Sequence, residues 1–128
     1  MIRFYKDKEK RILEPKLFSD TAMNLAKKIN DSGGKYANNR SQLRKFFDEV
    51  IRLNSLAKSN PGDWENILPY INMLIAKAAY AEGRRKVSQD FLDLMKSCIN
   101  QIHEDKDLDV FANFFEAFMG FYRKYGEN

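Results

Sequence analysis

Cysteine is almost absent from this chain, one residue among 128, so no internal disulfide framework can form. Cys98 falls in line with Phe91, Leu94, Met95 and Ile102 at helical spacing, which reads as a small core residue. A reactive thiol would want cationic neighbours, and Lys96 alone is weak support. One free thiol fits a reducing, cytoplasmic setting. Histidine is equally scarce. With His103 alone, a two-histidine metal site cannot be built within one chain; in the last turn of a helix this residue would favour the dipole. Only three prolines and six glycines are present, which favours helices over a sheet with many tight turns. No apolar run approaches the ~20 residues of a bilayer span, and the amino-terminal stretch has no apolar leader core. The expectation is a soluble cytoplasmic protein with no membrane partner. Dinucleotide and Walker-type phosphate loops are missing too. Glu104, Asp105, Asp107 and Asp109 form an acidic turn that could hold a cation weakly, but it lacks the glycine and spacing of a calcium loop. Capping and solvation are expected of it. No catalytic residue, metal ligand or cofactor site emerges, so the chain is not expected to be an enzyme.

What is abundant is apolar and aromatic: 44% of residues are hydrophobic, with ten Phe and six Tyr. That is too apolar for disorder over most of the length and enough for one core without staples. Met1 to Lys16 is highly charged. Ile2, Phe4 and Tyr5 could pair locally, but the run "KDKEKR" argues for a mobile arm, so the expected division is a charged arm over 1–17 and a single helical domain over 18–128. Ser19 or Asp20 is placed to cap a first helix running to about Asn30. "NDSGGKYANN" reads as a loop hinged at Gly33 and Gly34. Asn39, with Gln42 three residues on, is placed to cap a second helix, striped by Leu43, Phe46, Phe47, Val50 and Ala57. "KSNPGD" ends it. A turn around Trp64 leads to a third helix, with Pro69 at its start or at a kink and Gly83 as its stop. Ser88 is placed to cap a fourth helix reaching about His103. The last begins at Asp107 or Asp109 and ends at Gly126. Phe111, Phe115, Phe118, Tyr122 and Tyr125 stripe it, the strongest amphipathic pattern in the chain. The fold class is therefore all-α, a compact bundle of about five helices. The glycine loop after the first helix would permit a helix-exchanged dimer.

Charge is uneven. Residues 1–58 hold 14 Lys and Arg against 7 Asp and Glu, a balance of +7; residues 59–128 hold 8 against 11, or −3. Three of those eight cations are the fork Arg84, Arg85 and Lys86. On a wheel of about 100° per residue, Lys77, Tyr80 and Arg84 share one flank of the third helix, beside its apolar stripe. Such a row could cradle a phosphate backbone, the cations neutralising phosphates and the ring offering a stacking surface or hydroxyl. Arg40 and Arg44 are one turn apart on the second helix. A plainer reading stands beside this one: Arg44 paired with Asp48, Lys45 with Glu49, and the fork capping helix carbonyls and opposing the acidic turn.

Three stretches also carry a resemblance. "LRKFFDEV" (43–50), "KAAYAEGRRK" (77–86) and "FANFFEAFMGFYRKYG" (111–126) occur in this order. Together they resemble the small helical subunit of the type III-A CRISPR effector, the Csm complex, over about residues 40–126. Gly120 and Phe121 depart from that family's Ala-Tyr-like pair, and the arm 1–17 has no counterpart. The resemblance implies an all-helical subunit without catalytic residues. It implies copies stacked in the minor filament of a ribonucleoprotein, lining the groove where target RNA pairs with guide RNA. Contact there is with the strand's backbone and is independent of sequence. The implied partners are single-stranded target RNA, the guide–target duplex, other Csm subunits and further copies of the chain. Carried onto this sequence, the family's basic positions fall on Arg44, Lys77 and Arg84, with Lys45, Arg85 and Lys86 nearby. The alternative is a purely structural helical adaptor whose fork meets acidic protein partners; a hydrolase with an unfamiliar site is a third.

Overall fold

The computed structural model describes residues 2–125. A short hairpin pairs β1 (Tyr5–Asp7) with β2 (Ile12–Leu13) and feeds a π-helical turn (Leu17–Thr21). Five α-helices follow among the described residues: α1 (Ala22–Ser32), α2 (Arg40–Ser59), α3 (Trp64–Gly83), α4 (Gln89–Ile99) and α5 (Asp105–Tyr125). A 3₁₀ turn, Pro61–Asp63, separates α2 from α3. This is the all-α bundle expected from the periodicity. No helix among the described residues is long and apolar enough to cross a membrane.

The last helix organises the rest. Leu108, Phe111, Ala112, Phe114, Phe115, Phe118 and Tyr122 are buried and cover roughly 160° of a helical wheel. That face is wide enough to receive two helices, and both α1 and α2 pack on α5, while α3 packs on α4 and α2. Rings run along it in contact: Phe4 stacks on Phe111 at 6.3 Å, Phe111 meets Phe115 at 5.7 Å, Phe115 meets Phe118 edge-on at 5.7 Å, and Phe118 stacks on Tyr122 at 5.5 Å. Burying an aromatic side chain of this size contributes about 2–3 kcal/mol, and offset pairs add ~1. The stop expected at Gly126 lies outside the described residues.

The mobile arm expected over residues 1–16 is corrected. Phe4 and Tyr5 are buried in the same core as α5, as is Leu17. The charged run occupies the hairpin turn, while Phe4 and Tyr5 before it and Leu17 after it point inward and Ile12 stays exposed. One buried carboxylate holds the hairpin. Asp107 is 1% exposed. Its Oδ1 accepts from the Tyr5 hydroxyl at 2.6 Å and from Arg11 at 3.2 Å; its Oδ2 accepts the backbone N–H groups of His103 at 3.0 Å and Glu104 at 3.1 Å. Burial pushes the Asp107 carboxyl up, but the Tyr5 hydroxyl, those two N–H groups and the Arg11 guanidinium outweigh it and hold the group below its ordinary value. Tyr5 moves the other way, to about 12, through burial first and then its bond to Asp107.

Helix ends follow the sequence in part. Asn39 accepts from the Gln42 N–H at 3.0 Å and Ser88 from the Phe91 N–H at 3.2 Å, as expected of caps. Neither Ser19 nor Asp20 caps α1, because the chain enters it already coiled through the π-helical turn. Pro69 neither starts nor breaks α3. It sits inside the helix near its exposed start, where the carbonyl it leaves without a partner can meet water. Helix α4 stops at Ile99 rather than near His103. His103 lies in the connection, and its carbonyl accepts from Trp64 Nε1 at 3.2 Å. Cys98 is fully buried, and burial pushes its thiol up.

Gly83 is not the left-handed stop of α3. That conformation falls two residues later on Arg85, at φ 60°. The Arg85 N–H reaches Glu82 O at 2.9 Å and the Lys86 N–H reaches Ala81 O at 2.9 Å, the two bonds of a Schellman ending. The loop after α1 is a closed turn rather than an open hinge: a Cβ on Gly33 would meet the Ala37 carbonyl oxygen at 2.4 Å, and Gly34 takes φ 60°. Beyond it Asn38, buried and at φ 61°, ties four stretches together. Its amide nitrogen donates to Ile29 O at 2.9 Å and Ser88 Oγ at 2.7 Å, and its amide oxygen accepts from the Ser88 N–H at 2.8 Å. Its backbone N–H bonds Lys86 O at 3.0 Å, and its carbonyl accepts the Tyr122 hydroxyl.

Three outcomes follow. Replacing Asn38 by Ala strips several buried bonds and should lower stability by about 3 kcal/mol, against ~1 for Tyr122→Phe; urea midpoints measure both. Asp107→Asn should lower stability at pH 7 by about 2–3 kcal/mol. Because Asp107 binds its proton less readily folded than unfolded, its contribution is complete above the unfolded carboxylate value of ~3.9 and is lost as pH falls through the folded value. The gap between wild type and Asp107→Asn should accordingly narrow below about pH 4. Arg85→Gly removes the Cβ strain of a left-handed residue and should stabilise by about 1 kcal/mol, read by thermal unfolding.

Candidate nucleic-acid interface

Helices α2 and α3 meet along a groove lined by Gln42, Lys45, Phe46 and Glu49 from α2, Leu74, Lys77, Tyr80 and Ala81 from α3, and Arg84 and Lys86 from the fork. Phe46 and Leu74 belong to the buried core and form an apolar floor, above which four cations and one tyrosine stand on the walls. Tyr80 is 68% exposed, and the Arg84 guanidinium lies over its ring at 5.5 Å. That contact holds Arg84 beside an open aromatic face without consuming its charge.

One carboxylate enters the groove. Glu49 accepts from Arg52 through Oε1 at 2.7 Å and Oε2 at 3.0 Å, and Lys77 Nζ stands 3.6 Å from the same Oε2. The bond from Arg52 first, then the nearby charge of Lys77, hold Glu49 below its ordinary carboxyl value. Glu49 stays charged at neutral pH, but Arg52 already matches it, so Lys77 is only partly engaged. Lys45, Arg84, Arg85 and Lys86 make no ion pair among the described residues. The plainer reading of the fork, as a partner for the acidic turn, is not what forms. Within that turn Glu104 and Asp107 pair with Arg11, and Asp109 pairs with Lys58 at 2.8 Å. Among the described residues no cluster of three metal-ligating side chains is placed to hold an ion.

The eight basic and aromatic residues singled out by sequence divide into two sets. Lys45, Lys77, Tyr80, Arg84 and Lys86 share the groove; Arg40, Arg44 and Arg85 do not line it. With Phe46 at 0° on the α2 wheel, Glu49 falls near 300° and Lys45 near 260°, whereas Phe47 falls near 100°, Arg40 near 120° and Arg44 near 160°. Phe47 packs edge-on against Phe115 of α5 at 5.5 Å, and Glu49 reaches Lys77 of α3. The two flanks of α2 therefore face different neighbours, and Arg40 and Arg44 lie on the wrong one for α3. Arg44 rests 3.6 Å from Asp48, the pairing the spacing suggested. Lys45 takes the place expected of Arg44, and Glu49 turns to Arg52 and Lys77 instead of to Lys45. Sequence reasoning did not single out Gln42 or Glu49 as groove residues; both sit one turn from Lys45 or Phe46, and only knowledge of which flank meets α3 would have found them.

No curated protein and no solved structure matches the chain. A family model described as Csm2 Type III-A matches residues 13–128, nearly the whole length. That span includes all five helices and the groove between α2 and α3. The chain belongs to the Csm2 Type III-A family and is thereby a subunit of a type III-A CRISPR effector.

Proposed function

We propose that the chain is a non-catalytic RNA-binding subunit of that cytoplasmic effector, one of several copies in its minor filament, contacting the backbone of target RNA paired to guide RNA. The observation that supports this most is the convergence of Lys45, Lys77, Arg84 and Lys86 around an open tyrosine in one groove. A phosphate strand asks for cations at intervals, and an aromatic face that accepts any base adds affinity without selecting sequence. Sequence recognition is left to base pairing between guide and target, so the protein needs charge, shape and repetition. The partly matched Glu49 tempers the field, which suits a subunit whose isolated affinity is low and whose grip comes from several copies acting on one strand. Arg40, Arg44 and Arg85 join in this reading only where the strand leaves the groove.

The second reading, a structural adaptor for protein neighbours, is favoured by a separate feature: Tyr70, Met73 and Leu56 are large and exposed on the same two helices. The readings part in one experiment. Single-stranded RNA binding by the isolated protein, titrated at several salt concentrations, should show a log–log slope of about −1.5 to −3. Changing Lys45, Lys77 and Arg84 together to Ala should flatten that slope by ~2 and abolish measurable binding near physiological salt, whereas Arg40→Ala with Arg44→Ala should do much less. RNA binding that survives the triple change, with assembly into the complex lost, would establish the adaptor instead.

A further inference from the structure

Among the described residues Tyr36 is the most exposed of the large hydrophobic side chains, at 78%, and Lys35 Nζ lies 5.7 Å from its ring centroid. Nothing in the core explains either residue. The loop that carries them is nonetheless firmly held. Gly33 packs against the Ala37 carbonyl, the Ala37 N–H bonds Gly33 O at 3.0 Å, and Asn38 is anchored from both sides. The Asn38 N–H bonds the carbonyl of Lys86, a groove residue. Two residues of chain span at most about 7 to 8 Å, so the Tyr36 backbone is tethered within that distance of the bond that ties the loop to the fork. The pairing of a cation with an open ring is the one already seen at Tyr80 and Arg84. A rigid loop that leaves an aromatic ring bare next to a basic groove has the makings of a second stacking platform.

We propose that the Gly34–Ala37 loop extends the RNA track beyond the α2–α3 groove, Tyr36 stacking on a base of the strand and Lys35 meeting the neighbouring phosphate. The inference rests on the RNA-binding reading and adds to it a ligand contact outside the groove. Stacking is sequence-tolerant and depends little on salt, whereas a phosphate contact carries a salt slope. The two residues therefore leave different signatures.

The test uses the full chain and single-stranded RNA, with binding followed by fluorescence anisotropy across salt concentrations for Tyr36→Ala, Tyr36→Trp, Lys35→Ala and Lys77→Ala with Arg84→Ala. Tyr36→Ala should weaken binding by about tenfold without changing the salt slope, Tyr36→Trp should restore or tighten it, and Lys35→Ala should flatten the slope by ~0.7. Wild-type affinity in Tyr36→Ala, alongside loss in the Lys77 and Arg84 variant, overturns the inference and leaves the groove reading standing. Unchanged binding in every variant overturns both. Intact RNA binding by Tyr36→Ala with loss of association to other subunits assigns the loop to a protein contact, which also overturns it.

Discussion

The Asn38 side-chain amide bonds two stretches of chain at once, and its backbone bonds two more. It joins the end of α1 at Ile29, the start of α4 at Ser88, the fork at Lys86 and the far end of α5 at Tyr122. Each partner is a backbone group or a hydroxyl, and one side chain meets them from several elements, so the bonds of the junction support one another. Asn tolerates the left-handed backbone required here better than most residues. The cationic fork is thus fixed from behind by a polar knot, which frees its side chains to face solvent. Tyr122 shares in this: burial raises its hydroxyl to about 12, so it remains a donor to Asn38 at any physiological pH.

A second polar knot sits at the other end of α5. Asp107 is the third helical residue, and it reaches back to the N–H of Glu104, half of a capping box. The same carboxylate receives Tyr5 and Arg11 from the hairpin. A helix cap and a tertiary clamp are one side chain, which explains why an acidic turn buries one of its members while Asp109 and Glu104 stay nearer the surface. The two knots bracket the aromatic ladder from Phe4 to Tyr122, so the ladder is pinned at both ends by directional bonds.

The groove gains its character from what is left unmatched. Arg52 engages Glu49 at two points and Arg84 leans on a neutral ring, so the positive charge of the fork is not consumed internally. Arg85 makes the same point from the backbone. A left-handed arginine where glycine would be easier costs about 1 kcal/mol, and strain held at such a position is more common at working surfaces than in scaffolding.

Much of the fold was legible in the sequence because it is local. Period-3.6 spacing of apolar residues marks the helices, and Asn39 and Ser88 cap where an Asx or hydroxyl residue precedes such a run. What failed was non-local. The hairpin reads as a charged arm because its inward residues, Phe4 and Tyr5, find their partners at Phe111 and Asp107, about a hundred positions away. The candidate site split for the same reason. Lys77, Tyr80 and Arg84 lie on one helix, and their common flank is fixed by helical geometry alone. Adding a second helix requires its rotation about its own axis, and that is set by Phe46 and Phe47 packing against different neighbours. The sequence by itself determined the inner stripe of α2 through Leu43, Phe46, Val50 and Ala57; only tertiary packing decided that Asn54 is buried, that Leu56 stays exposed and that Lys45 rather than Arg44 faces α3, because a periodic stripe specifies the inner side of a helix but not which element stands at either flank.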